Sequence, residues 1–163
     1  MLLHLPRLST ILLDIAVWAI IHIGVSYLMM HIPLRLFDSE FWLYRQKKWE
    51  KDGKLYARIF KLRRWKKRLP DGAALFKKAF QKKHLKGLDD AYLGNFTRET
   101  CRAELTHWIM VLISPVFFIW NPWYVGTIMI AYALAVNLPC IITQRYNRIR
   151  LERVCSGLPP SSP

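Results

Sequence analysis

Two apolar runs separated by a long basic stretch set the pattern of this chain. The first begins at Ile11, after the polar pair Ser9-Thr10, and reads ILLDIAVWAIIHIGVSYLMMHI to Ile32. Its 22 residues are enough to carry a helix across a bilayer core, since each adds about 1.5 Å of rise. The second run covers 39 residues, Leu105 to Thr143, and is interrupted at Asn121-Pro122. That length and that break predict two short spans, 105–120 and 123–143, joined by a tight turn. Pro115 predicts a kink in the first arm, because its ring crowds the preceding turn and it offers no N–H. Trp120, Trp123 and Tyr124 flank the turn, and rings with one polar edge settle at headgroup level. The expected fold is therefore an all-α membrane protein with about three transmembrane helices, one N-terminal span (11–32) and a C-terminal helical hairpin. Between them lies a basic, helical, interfacial segment, 36–103. The chain is expected to form a single integral-membrane domain, 1–163, with a disordered tail at 152–163.

Composition sharpens this picture. Hydrophobic residues make up 53% of the chain while its formal charge is +14. The two are compatible because they are segregated: residues 44–103 hold 19 of the 25 Lys and Arg. Lys and Arg are retained on the cytoplasmic side of a membrane. The basic middle and the C-terminal QRYNRIRLER are thus expected inside a cell membrane that the chain crosses several times, with the N-terminus and the Asn121-Pro122 turn outside. Only Arg7 precedes the first run apart from the terminus itself, so it reads as an uncleaved anchor and not as a secretory signal. Cys101, Cys140 and Cys155 are dispersed and fall on the expected reducing side, which argues against a disulfide framework. No metal spacing, nucleophile elbow, Walker loop or dinucleotide fingerprint occurs, and no metal or resident cofactor is expected.

The basic stretch interleaves Trp42, Trp49, Tyr56, Phe60 and Trp65 with lysines and arginines. One reading is a membrane-surface segment held to anionic lipid, each basic residue adding ~1 kcal/mol. A sharper one makes Arg63, Arg64, Trp65, Lys66, Lys67 and Arg68 a pocket for the phosphates of a donor such as acyl-coenzyme A. Nucleic acid is a poor partner for a patch lying between membrane spans. Pro70-Asp71-Gly72 reads as a turn, in which Asp71 follows the cationic run and is placed to orient one of its bases.

Candidate chemistry concentrates where the second run begins, in CRAELTHWIM at 101–110. Glu104 and His107 are three apart and share a helix face, so the carboxylate is placed to hold the imidazole in one tautomer and raise its basicity. Arg102 is a candidate oxyanion donor. The bland alternative is a helix end whose polar residues snorkel to water. At the far end of the second run, Gln144 and Asn147 supply neutral donors, while Arg145, Tyr146, Arg148 and Arg150 are candidate substrate-binding residues. Asn137, two residues before Pro139, is a buried amide in lipid and needs a partner; it joins the substrate-binding set, with helix packing as the alternative role. His84 opens HLKGLD, a His-x4-Asp match of the kind glycerolipid acyltransferases use, with none of that family's other blocks. Asp14 and His22, eight apart, are expected to pack against the hairpin.

Four stretches together resemble the glycosyl-4,4'-diaponeurosporenoate acyltransferases: WEKDGKLYARIFKLRRWKKRLPDG at 49–72, KKHL at 82–85, RAELTHW at 102–108 and NLPCIITQRYNRIRL at 137–151. The resemblance runs from Ile32 to Leu151, in order and with similar spacing. It implies a small membrane enzyme of staphyloxanthin-type carotenoid biosynthesis, transferring a fatty acyl group, with acyl-coenzyme A as co-substrate, onto the glucose C6 hydroxyl of a glycosylated carotenoid or similar glycolipid. On matched positions, chemistry assigns His107 as base, Glu104 as its orienter, and Arg102, Gln144 and Asn147 as oxyanion donors. Rival readings are a non-catalytic basic adaptor or lipid-binding protein and a small membrane methyltransferase.

Overall fold

The structure is a computed structural model that describes residues 6–59 and 90–156. Among the described residues all regular structure is helical: α1 is Arg7–His31, α2 Lys54–Ile59, α3 Asp90–Ile113 and α4 Trp123–Cys155. Short 3-10 helices cover Leu34–Leu36, Lys48–Gly53 and Ser114–Ile119. The stretches Arg7–His31, Tyr92–Ile119 and Trp123–Arg153 are each long and apolar enough to cross a membrane. The chain divides into two compact units, Met1–Ile32 with Leu105–Pro139 and Pro33–Glu104 with Cys140–Pro163.

In the first unit, α1 buries Asp14, Trp18, Ile21, Val25 and Met29, a spacing of three and four that keeps them on one face. Its other faces expose Leu8, Ile11, Leu12, Ile15, Ile20, Ile23 and Leu28, apolar surface suited to lipid and unsuited to water. Trp18 is the centre of the packing: its ring stacks on Phe117 at 4.7 Å, meets Tyr132 edge-on at 5.1 Å, and its Nε1–H reaches the Met129 sulfur at 3.3 Å. Asp14 accepts from Trp120 Nε1 and from Asn121 Nδ2, each at 2.8 Å. A buried carboxylate must be hydrogen-bonded, and these two donors come from the turn that closes the hairpin. The expected packing of Asp14 against the hairpin is this pair of bonds, while His22 stacks on Trp18 at 5.4 Å. Near the turn, Gly126 lets Phe118 lie against the backbone of α4, where an added Cβ would run into the ring.

In the second unit, Tyr56, Tyr146 and Ile149 form one buried cluster, flanked by Ile142, and Leu93, Phe96 and Leu151 form another. The 3-10 helix Lys48–Gly53 ends on Gly53 at φ +80, a left-handed conformation that glycine adopts without a Cβ penalty. The absence of a side chain serves packing as well, since a Cβ there meets the Tyr146 ring at 3.3 Å.

Several boundaries and placements differ from the sequence reading. α3 begins at Asp90 and not at 105, so residues 90–103 belong to a helix that continues into the apolar run. Charge does not end this helix, because Arg102 pairs with Glu99 one turn away at 2.5 Å. α4 likewise continues past Thr143 to Cys155, so its last turn takes in the start of the stretch 152–163 expected to be a disordered tail. From Pro33 to Ile59 the start of the expected helical segment is built of turns, two 3-10 helices and the short α2. Trp120 is buried, where only its neighbours Trp123 and Tyr124 keep the exposed aromatic character expected at headgroup level, because Asp14 claims its indole N–H. Tyr56 is buried too, and not at a lipid surface. Pro115 ends the α-helical part of the first arm, which goes on as a 3-10 helix from Ser114.

Candidate functional site

Each unit gathers its own group of polar side chains. In the second, four charged residues form a continuous chain of ion pairs. Arg145 donates through Nε to Glu50 Oε1 at 2.9 Å and through Nη1 to Glu104 Oε1 at 2.8 Å. Arg148, one turn further along α4, donates through Nη2 to Glu104 Oε2 at 2.5 Å. Both carboxylate residues are 0% exposed. Three-residue spacing puts the two guanidiniums on one face of α4, and each also holds backbone: Arg145 Nη1 donates to Leu43 O at 2.9 Å, and Arg148 donates through Nε and Nη2 to Tyr44 O at 3.2 and 3.0 Å.

Glu50 is the most loaded acceptor. Besides Arg145 it takes the Lys47 backbone N–H and, at 2.5 Å, the Tyr56 hydroxyl. Burial works against its charge, yet the bonds from Arg145, Lys47 and Tyr56 outweigh it and hold the carboxyl below the ordinary range. Tyr56 is shifted the other way: burial, and then donation to Glu50, push its phenol up. Tyr44 is pushed up to about 12 by burial, with Cys101 and Glu104 adding to it. A guanidinium committed to buried carboxylates has little left for a substrate phosphate. Among the described residues Arg148 Nη1 has no hydrogen-bond partner, but the guanidinium lies 5.5 Å from the Tyr44 ring centroid, which offers it a π face.

In the first unit, His107 on α3 meets Asn137 on α4. Nδ1 of the imidazole lies 2.8 Å from Asn137 Oδ1, and Asn137 Nδ2 donates to Ala133 O at 2.8 Å. Asn137 is 0% exposed and His107 half-buried. The buried amide thus has the partner that lipid demands of it. A neutral imidazole whose proton sits on Nδ1 has its lone pair on Nε2.

The sequence candidates fall out as follows. His107 and Asn137 meet each other, so the amide assigned to substrate serves the imidazole. Glu104, assigned to His107, gives its two oxygens to Arg145 and Arg148. Arg102 gives Nη2 to Glu99. Gln144 and Asn147 are half-buried on α4 beside the two pairing arginines. Tyr146 is core, and Arg150 is exposed with its guanidinium 5.8 Å from the Tyr146 ring centroid. Arg63, Arg64, Trp65, Lys66, Lys67, Arg68, Asp71 and His84 lie outside the described residues. Sequence reasoning missed Glu50, Tyr44 and Tyr56. The available signal for Glu50 was an acid standing among cations in RQKKWEK, which read as part of a solvated face. Among the described residues no group of three His, Cys, Asp or Glu is placed to hold a metal ion.

Comparison with known proteins bears on the same residues. The family model for glycosyl-4,4'-diaponeurosporenoate acyltransferase matches residues 40–157, a range that holds both polar groups. The chain is 34% identical over 137 residues to the glycosyl-4,4'-diaponeurosporenoate acyltransferase of Staphylococcus aureus (strain USA300), covering 84% of this chain and 82% of that protein. The protein of the same name from Staphylococcus haemolyticus (strain JCSC1435) is 34% identical over 141 residues, covering 86% and 82%. No solved structure gives a significant match.

Proposed function

Because the chain belongs to the glycosyl-4,4'-diaponeurosporenoate acyltransferase family, we propose that it moves a fatty acyl group from acyl-coenzyme A onto the glucose C6 hydroxyl of a glycosylated carotenoid acid. His107 acts through Nε2 as the base. It takes the hydroxyl proton as the sugar oxygen attacks the thioester carbonyl, and the C–O bond forms. The tetrahedral intermediate then collapses, the C–S bond breaks, and the departing thiolate takes the proton back from the imidazolium. General base assistance of this kind contributes on the order of 10²–10⁴ in rate.

The observation that carries this reading is the buried grip of Asn137 on His107, inside the family-matched range. The donor reaches the reaction from the cytoplasm, the side to which the 44–103 charge assigns the basic middle. The acyl chain and the carotenoid stay in lipid throughout, so the bilayer supplies much of the substrate binding and a chain of 163 residues suffices. Mass spectrometry of lipid extracts from cells with and without the gene tests the reading: a glycolipid that gains one fatty acyl mass only when the gene is present supports it, and an unchanged glycolipid profile refutes it. Parallel incubation of membranes with labelled acyl-coenzyme A and a labelled methyl donor separates acyl from methyl transfer.

A further inference from the structure

Asn137 does more than satisfy its own amide. Its two polar ends are not interchangeable, because the carbonyl of Ala133, 2.8 Å from Nδ2, only accepts hydrogen bonds. The amide NH2 must therefore face Ala133, and the amide oxygen must face His107. That oxygen also only accepts, so His107 Nδ1, 2.8 Å away, must be the donor. A neutral imidazole that carries its proton on Nδ1 has its lone pair on Nε2. The direction of every bond in the series follows from one backbone carbonyl of α4, and the amide that transmits it is fully enclosed, so water has no access with which to compete.

From this geometry we infer that Asn137 is a positioning residue: through Ala133 O it locks His107 in the Nδ1–H tautomer and so fixes Nε2 as the base for acyl transfer. The inference rests on the proposed role of His107, and it assigns to Asn137 a task other than contact with substrate. A neutral amide performs this task without adding a charge to the span, where a carboxylate is costly. Glu104, three residues earlier on α3, is bonded to two arginines, and the bond at Nδ1 is the one to Asn137.

The test joins nitrogen NMR of the 15N-histidine-labelled full-length protein in micelles to steady-state kinetics. The resonances that vanish in His107→Gln belong to His107. In the native protein they should show the Nδ1–H tautomer. Asn137→Leu should lose the pure tautomer signature and lower kcat by roughly 100-fold, with KM for the acyl donor unchanged. The native spectrum keeps the test decisive if the leucine variant does not fold, because it reads the tautomer without any substitution at Asn137. An Nε2–H tautomer in the native protein, or native kcat in Asn137→Leu, overturns the inference. The spectrum reports the tautomer whether or not His107 is the base. Full activity in His107→Gln would therefore refute the proposed mechanism while the NMR still decides the role of Asn137.

Discussion

Arg145 donates to Glu104 at 2.8 Å through Nη1 and, through Nε of the same guanidinium, to Glu50 at 2.9 Å. One side chain of α4 thus ties a carboxylate of α3 to a carboxylate in the 3-10 helix Lys48–Gly53. Arg148 shares Glu104 from one turn away, and the backbone carbonyls of Leu43 and Tyr44 complete the network. A complete buried network is close to neutral in free energy compared with apolar packing, but a broken one is not.

Glu104→Gln removes one charge from this network and leaves two guanidiniums with one buried carboxylate, Glu50. It should destabilise the protein by about 3–5 kcal/mol, read as a lower unfolding midpoint in detergent micelles. A midpoint within error of the native one would mean that the arginines find other acceptors.

Glu50 makes stability depend on pH. Burial works against its charge, yet Arg145, the Lys47 N–H and Tyr56 hold its carboxyl below the ordinary carboxylate range. A group whose folded pKa is lowered contributes stability above its unfolded pKa and loses it as pH falls through the folded value. The melting temperature should therefore change little with Glu50 ionised, near neutral pH, and fall as pH drops below about 4.5. Glu50→Gln should melt lower at neutral pH and show a shallower acid decline.

Gly126 allows Phe118 to lie where a Cβ would run into the ring. Gly126→Ala must push the ring from its rotamer, an overpacking cost of about 1–3 kcal/mol. Adding Phe118→Ala should recover much of that loss, so the two substitutions should be non-additive in a double-mutant cycle of unfolding free energies.

Asp14 joins α1 to the hairpin turn through Trp120 and Asn121. Asp14→Ala orphans two buried donors, at about 1–3 kcal/mol each. Asp14→Asn keeps an accepting oxygen and should cost less. Denaturation followed by tryptophan fluorescence reads both, and equal midpoints for the two variants would rule out the hydrogen bonds as the cause.

What the sequence made legible is what depends on local composition. The apolar run from Ile11 to Ile32 and the Asn121-Pro122 break announce helices and a turn because lipid permits little else, and Pro115 marks where the α-helix gives way. That 90–103 is helical was legible, but not that it forms one helix with the apolar run, since pairs such as Glu99–Arg102 carry α3 across the junction. The site behaves in the same way. His107 and Asn137 each stood out as costly in lipid, but thirty residues separate them, and periodicity reports only neighbours on one helix. It therefore paired His107 with Glu104, whereas the bonds of Glu104 run to α4. Glu50 was invisible because its partner, Arg145, is far along the chain, and charge counted along a sequence does not reveal which charges will be buried together.

The central claim is that His107 is the base of acyl transfer, and one assay addresses it most directly. Purified native and His107→Gln proteins, matched for helix content, are placed in liposomes with labelled acyl-coenzyme A and a glycosylated carotenoid acid, and the acylated product is counted. The native protein should form product, and His107→Gln should form it at least about 100-fold more slowly. Product formation at the native rate by His107→Gln would contradict the account.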